Sequence, residues 1–238
     1  MCGIVGFIGK GNPIQAVIDG LRKLEYRGYD SAGLGWIDRQ GLKTFRSVGR
    51  VDNLSAGIDA KAEASLAIGH TRWATHGRPA EENAHPHLDP TGRIAVVHNG
   101  IIENWAALRA EMEALGNAFR SETDTEVIAH LVAREYAEGC KGDLLKAVEK
   151  VLPRLDGTFA LGIISSDQPG LIVAARRGSP LVAGLGDGFN MIASDAMPIA
   201  PFTSKVVYLE DNQAVALRSG SVEVRKDGRK ADFSISEV

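Results

Sequence analysis

Cysteine is scarce: the 238 residues carry two, Cys2 and Cys140. Two thiols make no disulfide framework, so the fold must rest on its core, and the usage fits a reducing, cytoplasmic setting. No apolar run reaches the roughly 18–20 residues that cross a bilayer, so no membrane partner is expected. The first residues form neither a basic n-region nor a long apolar h-region, so no secretory signal is expected. An excess of one charge sign is also missing. Lys and Arg number 27 against 30 Asp and Glu, a formal net charge of -3, which removes the usual argument for a nucleic-acid or polyanion partner. Repeats and low-complexity stretches are absent. What remains is ordinary globular composition, 44% hydrophobic and 24% charged. The length suits one large α/β domain or two small ones, with ample room for a core.

The order of elements follows from hydrophobic spacing. Ile4-Val5-Gly6-Phe7-Ile8 reads as a buried strand. Asn12-Pro13 resembles an N-cap followed by proline at the first helical position, and Ile14, Val17, Ile18, Leu21 and Leu24 recur at helical spacing. A helix over about 13–26 is therefore expected, with Gly28 as its C-cap. Strands over 31–37 and 42–48 flank the turn Asp38-Arg39-Gln40-Gly41, and Ser65–His70 is strand-like again. Residues 71–93 lack periodicity; a loop that long is usually functional or disordered, and its Trp and His content argues against disorder. The strand Ile94-Ala95-Val96-Val97 runs directly into His98-Asn99-Gly100. Asn104 is expected to cap a helix whose apolar face is Trp105, Leu108, Met112 and Leu115. Thr123 and Glu126 suggest a capping box for the next helix, and a third spans about 143–153. From 157 onward short strands follow one another, and 226–238 reads as a polar tail or the start of a linker. Strands at both ends and helices between them favour two largely antiparallel sheets packed together with helices outside, rather than a parallel doubly wound sheet.

Polar residues gather at element ends, where sites are usually built. Cys2 stands directly behind the initiator methionine, before the first strand. Removal of Met1 would leave one residue bearing both a thiol and a free α-amine. Such an amine has a reference pKa of about 7.7–8.0, close enough to working pH to act as general base toward its own side chain. The competing reading is a small buried hydrophobe. Asn99-Gly100 at a strand end offers a side-chain amide and a glycine N–H, the kind of donors that stabilise a tetrahedral oxyanion. The same pair is a strong turn signal, though it leads into a helix and not a returning strand. Arg72 and Asp124 could bind the carboxylate and ammonium of an amino acid, or form a surface ion pair. Trp73 and His76 could shape a pocket wall or simply pack. His70, His76, His85, His87 and His98 invite a metal reading, but His85-Pro86-His87 matches no standard zinc spacing and no cysteine ligand lies nearby. No metal and no cofactor is expected.

Cys2-Gly3-Ile4-Val5-Gly6 at the N-terminus resembles the class II glutamine amidotransferase domains of the N-terminal-nucleophile hydrolase fold. Leu24-Glu25-Tyr26-Arg27-Gly28-Tyr29-Asp30-Ser31-Ala32-Gly33, His70-Thr71-Arg72-Trp73-Ala74-Thr75-His76-Gly77 and Ser121-Glu122-Thr123-Asp124-Thr125-Glu126 narrow the likeness. Together they are similar to the glutaminase halves of glutamine–fructose-6-phosphate amidotransferases, the glucosamine-6-phosphate synthases. The resemblance covers Cys2 to about residue 225, which it makes the glutaminase domain. It implies an α+β, four-layer α/β/β/α sandwich. It implies that Cys2 attacks the side-chain amide of L-glutamine, that its α-amine relays the proton to ammonia, and that Asn99 and the Gly100 N–H form the oxyanion hole. Arg72 would bind the glutamine carboxylate and Asp124 its ammonium. Trp73, Thr75 and His76 would line the pocket, with Trp73 also in a mobile lid. Arg27 would help position the nucleophile, and His85 and His98 would support the site. In the family the ammonia passes to sugar-phosphate isomerase modules, which 238 residues do not include, and the full enzyme is expected to be a homo-oligomer. The alternatives are a glutaminase domain serving another acceptor and a non-catalytic glutamine-binding module.

Overall fold

The structure is a computed structural model that describes residues 2–73 and 77–238. The first half of the chain runs β1 (Gly3–Gly9), α1 (Pro13–Leu24), β2 (Ser31–Asp38), β3 (Gly41–Val48), α2 (Val51–Ala56), β4 (Leu66–Arg72), β5 (His87–Leu88) and β6 (Ile94–Ile102). Three helices follow, α3 (Trp105–Ala114), α4 (Glu126–Arg134) and α5 (Leu144–Val151). The chain then returns to strands: β7 (Gly157–Ser165), β8 (Ile172–Arg177), β9 (Val182–Leu185), β10 (Phe189–Ala193), β11 (Lys205–Tyr208), β12 (Gln213–Arg218) and β13 (Ser221–Lys226). Two-residue strands, β14 (Arg229–Lys230) and β15 (Ser236–Glu237), extend the outer edges of the sheets within 226–238.

Among the described residues the strands form two antiparallel sheets. One has the order β15-β11-β9-β10-β1-β4-β2-β3, and the other β14-β13-β12-β8-β7-β6-β5. Side chains alternate across a strand, and that alternation sorts the apolar residues into three layers of contact. Ile4 and Ile8 of β1, Leu66 and Ile68 of β4, Ala95 and Val97 of β6, and Ala160 and Ile164 of β7 meet between the sheets. Val5 and Phe7 of β1 point the other way, onto Val17, Leu21 and Leu24 of α1. Ile94 and Val96 of β6, with Phe159, Leu161 and Ile163 of β7, lie against Val127, Ile128 and Leu131 of α4 and Leu144 and Val148 of α5. Each central strand is therefore covered on both faces, which is why its sequence is an almost continuous apolar run. The expected four-layer α/β/β/α sandwich is the architecture observed.

The expected cap at Asn12 forms, and a second side-chain cap stands at Asp143. The Asn12 side chain accepts the Gln15 N–H at 3.1 Å and starts α1, and Asp143 accepts the Lys146 N–H at 3.1 Å and starts α5. Other expectations are corrected. The helix α1 stops at Leu24, a 3-10 turn covers Glu25–Arg27, and Gly28 has an extended φ of 165°, so it is no left-handed cap. Its small size answers to a neighbour, since a Cβ there would approach the Cβ of Trp73 to 2.8 Å. Asn104 precedes α3 without capping it by a side-chain bond. Its amide instead ties the Arg154 carbonyl and the Asp156 N–H, 2.9 and 3.1 Å away. Leu115, expected on the apolar face, is exposed. No capping box forms at Thr123, because α4 starts at Glu126. The Glu126 carboxylate receives the N–H groups of Arg120 and Ser121 and the Ser121 hydroxyl, folding the preceding loop back onto the helix.

Candidate active site

The alternation that builds the core also builds the site. Cys2 continues the row Ile4, Ile8 along β1; His70 continues Leu66, Ile68 along β4; Asn99 continues Ala95, Val97 along β6. These rows face one another between the sheets, so a thiol, an imidazole and an amide converge where the apolar filling ends. The pairing Gly3↔Thr71 sets the start of β1 beside the end of β4.

The contacts are short. The Trp73 backbone N–H lies 3.3 Å from Cys2 Sγ, and the Trp73 carbonyl 3.6 Å from it. Asn99 Nδ2 donates to the Cys2 carbonyl at 3.2 Å, across 97 residues of chain. Asn99 Oδ1 lies 3.0 Å from His70 Nε2. Gly100, next to it, has a φ of +132°, and a Cβ there would run into the Thr158 carbonyl oxygen. Only glycine fits that backbone. Burial pushes the Cys2 thiol above its usual range; the Trp73 N–H opposes the rise, and the Asp30 carboxylate adds to it. At neutral pH the sulfur is therefore a protonated thiol that needs a base before it can attack.

Arg27 reaches the same end of the sandwich from the 3-10 turn after α1. Its guanidinium pairs with Asp195 at 2.8 Å and donates to the Ser194 carbonyl at 3.3 Å. The Ser194 hydroxyl in turn accepts the Ile4 N–H at 3.1 Å, and the Ser194 N–H donates to the Ile4 carbonyl at 3.0 Å. Arg27 thus bears on the strand that carries Cys2 through the end of β10. Arg72, at the end of β4, is buried and donates to the carbonyls of Gly77 and Arg78, each at 3.3 Å. Asp124 is buried beside β6 and accepts the Ile102 N–H at 2.7 Å. The Trp73 side chain is 54% exposed, so its backbone cradles the sulfur while its ring remains available to solvent or substrate. It borders an open groove that includes Tyr29, Asp30 and Arg50. Thr75 and His76 lie outside the described residues, as do Met1 and Ala74.

His85 and His98 belong to a buried group with His70 and His87. The rings of His70 and His85 are 4.1 Å apart, and those of His85 and His87 4.8 Å. The His98 N–H donates to His85 Nδ1 at 3.3 Å, His98 Nδ1 meets Thr125 Oγ1 at 2.9 Å, and His87 Nε2 meets Thr123 Oγ1 at 2.9 Å. Burial pushes all four imidazoles below their ordinary range, His70 and His87 to about 3. Four neutral rings bonded to hydroxyls, backbone and an amide make a polar backing for the site. Among the described residues no group of three or more His, Cys, Asp and Glu side chains is arranged to hold a metal ion.

Three contributors escaped the sequence reading. In the sequence His70 reads only as a possible metal ligand, and Ser194 and Asp195 carry no signal. Nothing local marks Ser194 and Asp195, because their partners lie 190 and 168 residues away and are set by the pairing of β10 with β1.

A sequence profile described as "Glutamine amidotransferase domain" matches residues 70–200, more than half of the chain. The chain belongs to the glutamine amidotransferase family. Its curated relatives include the glutamine–fructose-6-phosphate aminotransferase [isomerizing] of Acinetobacter baylyi, 48% identical over 239 residues, which cover 100% of this chain and 38% of that protein. The namesake from Mycolicibacterium smegmatis is 51% identical over 234 residues, 94% of this chain and 37% of that protein. The chain thus spans less than two-fifths of the relatives it matches. Among solved structures, the glutamine phosphoribosylpyrophosphate amidotransferase from B. subtilis, complexed with ADP and GMP, superposes with a TM-score of 0.80 at 26% identity, over 95% of this chain and 49% of that one. The paired antiparallel sheets are accordingly those of the N-terminal-nucleophile amidotransferases. The family match spans His70, Arg72, Asn99, Gly100, Asp124 and Asp195; of these, Asn99 bonds the Cys2 carbonyl and His70 bonds Asn99.

Proposed function

We propose that this chain hydrolyses the side-chain amide of L-glutamine through Cys2. In the chain freed of Met1, the Cys2 α-amine takes the thiol proton as Sγ attacks the amide carbon. The carbonyl oxygen becomes an oxyanion that the Asn99 Nδ2 and Gly100 N–H groups stabilise. Collapse returns the proton to the leaving nitrogen and releases ammonia, with a γ-glutamyl thioester left on Cys2. A water molecule, deprotonated by the same amine, then attacks the thioester carbon, and glutamate leaves as the thiol is restored. Arg72 binds the substrate carboxylate bidentately and Asp124 its ammonium, while Trp73, Thr75 and His76 line the pocket and Arg27 helps position the nucleophile. His85 and His98 back the site.

The observation that carries this reading is the contact between the Asn99 amide and Cys2, whose sulfur also touches the Trp73 N–H. Because burial keeps the thiol protonated, proton transfer on this reading is coupled to attack. The ammonia acceptor is fructose 6-phosphate, the substrate in the relatives' names. It is handled by an isomerase domain outside these 238 residues, in a cytoplasmic homo-oligomer.

The test is glutamate release from glutamine by the purified chain beside Cys2→Ala, with the N-terminal mass recorded. The expected result is turnover in the parent chain and none in the variant. A chain with a free Cys2 amine that releases no glutamate would overturn the reading, as would turnover that survives Cys2→Ala.

A further inference from the structure

Asn99 has two partners of opposite kind, and together they fix which way its amide faces. A carbonyl oxygen can only accept, so the atom 3.2 Å from the Cys2 carbonyl is the amide nitrogen. The amide oxygen then faces His70 Nε2 at 3.0 Å. That oxygen also only accepts, so Nε2 must carry a proton. We propose that His70 is a positioning residue that holds Asn99 with its N–H groups toward the reacting carbonyl. This rests on the reading of Asn99 as an oxyanion donor.

A primary amide has nearly the same shape in both orientations, so hydrogen bonding alone chooses between them. Without the His70 donor, the buried Asn99 oxygen loses its partner, and only the bond to the Cys2 carbonyl still opposes a half-turn of the amide. The flipped form would present oxygen to a developing oxyanion, which is repulsive where the native form attracts. The ring is well suited to the task. Burial keeps His70 neutral down to about pH 3, so it holds a single ring proton across all working conditions. The His85 ring packs against it, tilted by 35° with centroids 4.1 Å apart, and is itself held by the His98 N–H at 3.3 Å. Toward the site the His70 ring bonds the Asn99 amide, and it acts through that amide.

The test uses the full chain with two substitutions. His70→Leu keeps bulk but removes the donor, and His70→Gln places an amide N–H where Nε2 was. Loss of one oxyanion donor lowers kcat by about 10²–10³-fold. We expect His70→Leu to lower kcat by about 10²-fold with KM nearly unchanged, and His70→Gln to recover most of it. A γ-aldehyde analogue of glutamate, which forms a tetrahedral adduct with a thiol, should lose affinity in His70→Leu in parallel with kcat, while glutamate itself binds as before. A purely structural role would weaken both ligands together. Imidazole ¹⁵N shifts of the parent chain should show a neutral His70 with the proton on Nε2. Unchanged kcat and aldehyde affinity in His70→Leu would overturn the proposal. So would equal losses in both variants, or a proton on Nδ1. The shift measurement also decides the case if His70→Leu fails to fold. Absence of turnover in the parent chain counts against the glutaminase reading, whereas the ring tautomer tests the orientation of Asn99 by itself.

Discussion

Acidification from about pH 7 to pH 5 should destabilise the folded chain well before its carboxylates titrate. His70 and His87 have ordinary pKa values of 6.5 that the fold lowers to about 3, in each case chiefly through burial. Above 6.5 both rings are neutral, folded or unfolded, and contribute nothing to the pH dependence. Below it the unfolded chain takes up two protons that the folded chain refuses, so stability falls with pH until the folded rings themselves protonate. One pKa unit corresponds to about 1.4 kcal/mol, so at pH 5 each ring costs about 2 kcal/mol and the pair about 4 kcal/mol. A domain has roughly 5–15 kcal/mol in total. At His70 burial outweighs the bonds from Asn99 and the His98 backbone, which favour a charged ring, and the His98 ring and Arg72 disfavour it. At His87, Arg46 and Arg72 do the same, and Glu126 opposes them less strongly than burial acts. Glu126 is held down to about 2 by bonds from His130, Ser121 and Arg120, despite the opposing effect of burial. Its stabilisation is lost only below its ordinary 4.5, so the interval from 6.5 to 5 belongs to the histidines. Urea unfolding at half-unit steps of pH would measure the slope, and His87→Gln should remove about half of this two-ring contribution. An unfolding free energy that stays flat from pH 7 to pH 5 would refute the argument, as would ring resonances of His70 and His87 that titrate near 6.5.

Two substitutions check the packing around the site. Gly100→Ala should cost at least about 1–3 kcal/mol for the backbone alone, since φ is +132° and the new methyl meets the Thr158 carbonyl. It should also abolish glutamine turnover, and an unshifted denaturation midpoint with full activity would sink the claim. Leu21→Ala removes a fully buried side chain that α1 lays over Gly69 of β4, and should cost about 2–5 kcal/mol by chemical denaturation while leaving KM for glutamine unchanged.

The sequence was most informative where a bond closes over a few residues. Asn12 caps α1 by reaching three residues along the chain, a geometry that a local stretch can reveal. It misled where the same residue types found distant partners. Asn104 turns to Arg154 and Asp156, and Glu126 takes the N–H groups of the loop before it, although both sit in sequence contexts that read as caps. Gly28 looks like a helix-ending glycine, yet its missing side chain makes room for Trp73. Capping propensity is weak, and a long-range partner that satisfies the same donor or acceptor displaces it.

By itself the sequence determined the layer order, because strands buried on both faces must be apolar throughout and helices buried on one face must be periodic. It also marked Cys2, Arg72, Asn99, Gly100 and Asp124 as candidates, through residue type at element ends and through a family likeness. Only the tertiary structure decided how they work together. The Asn99 amide meets both Cys2 and His70, and Arg27 pairs with Asp195, 168 residues away. Those pairings follow from sheet order and register, and a one-residue slip of β4 or β10 would turn His70 or Ser194 to the opposite face. Register is a property of the assembled sheets, and no window along the chain contains it.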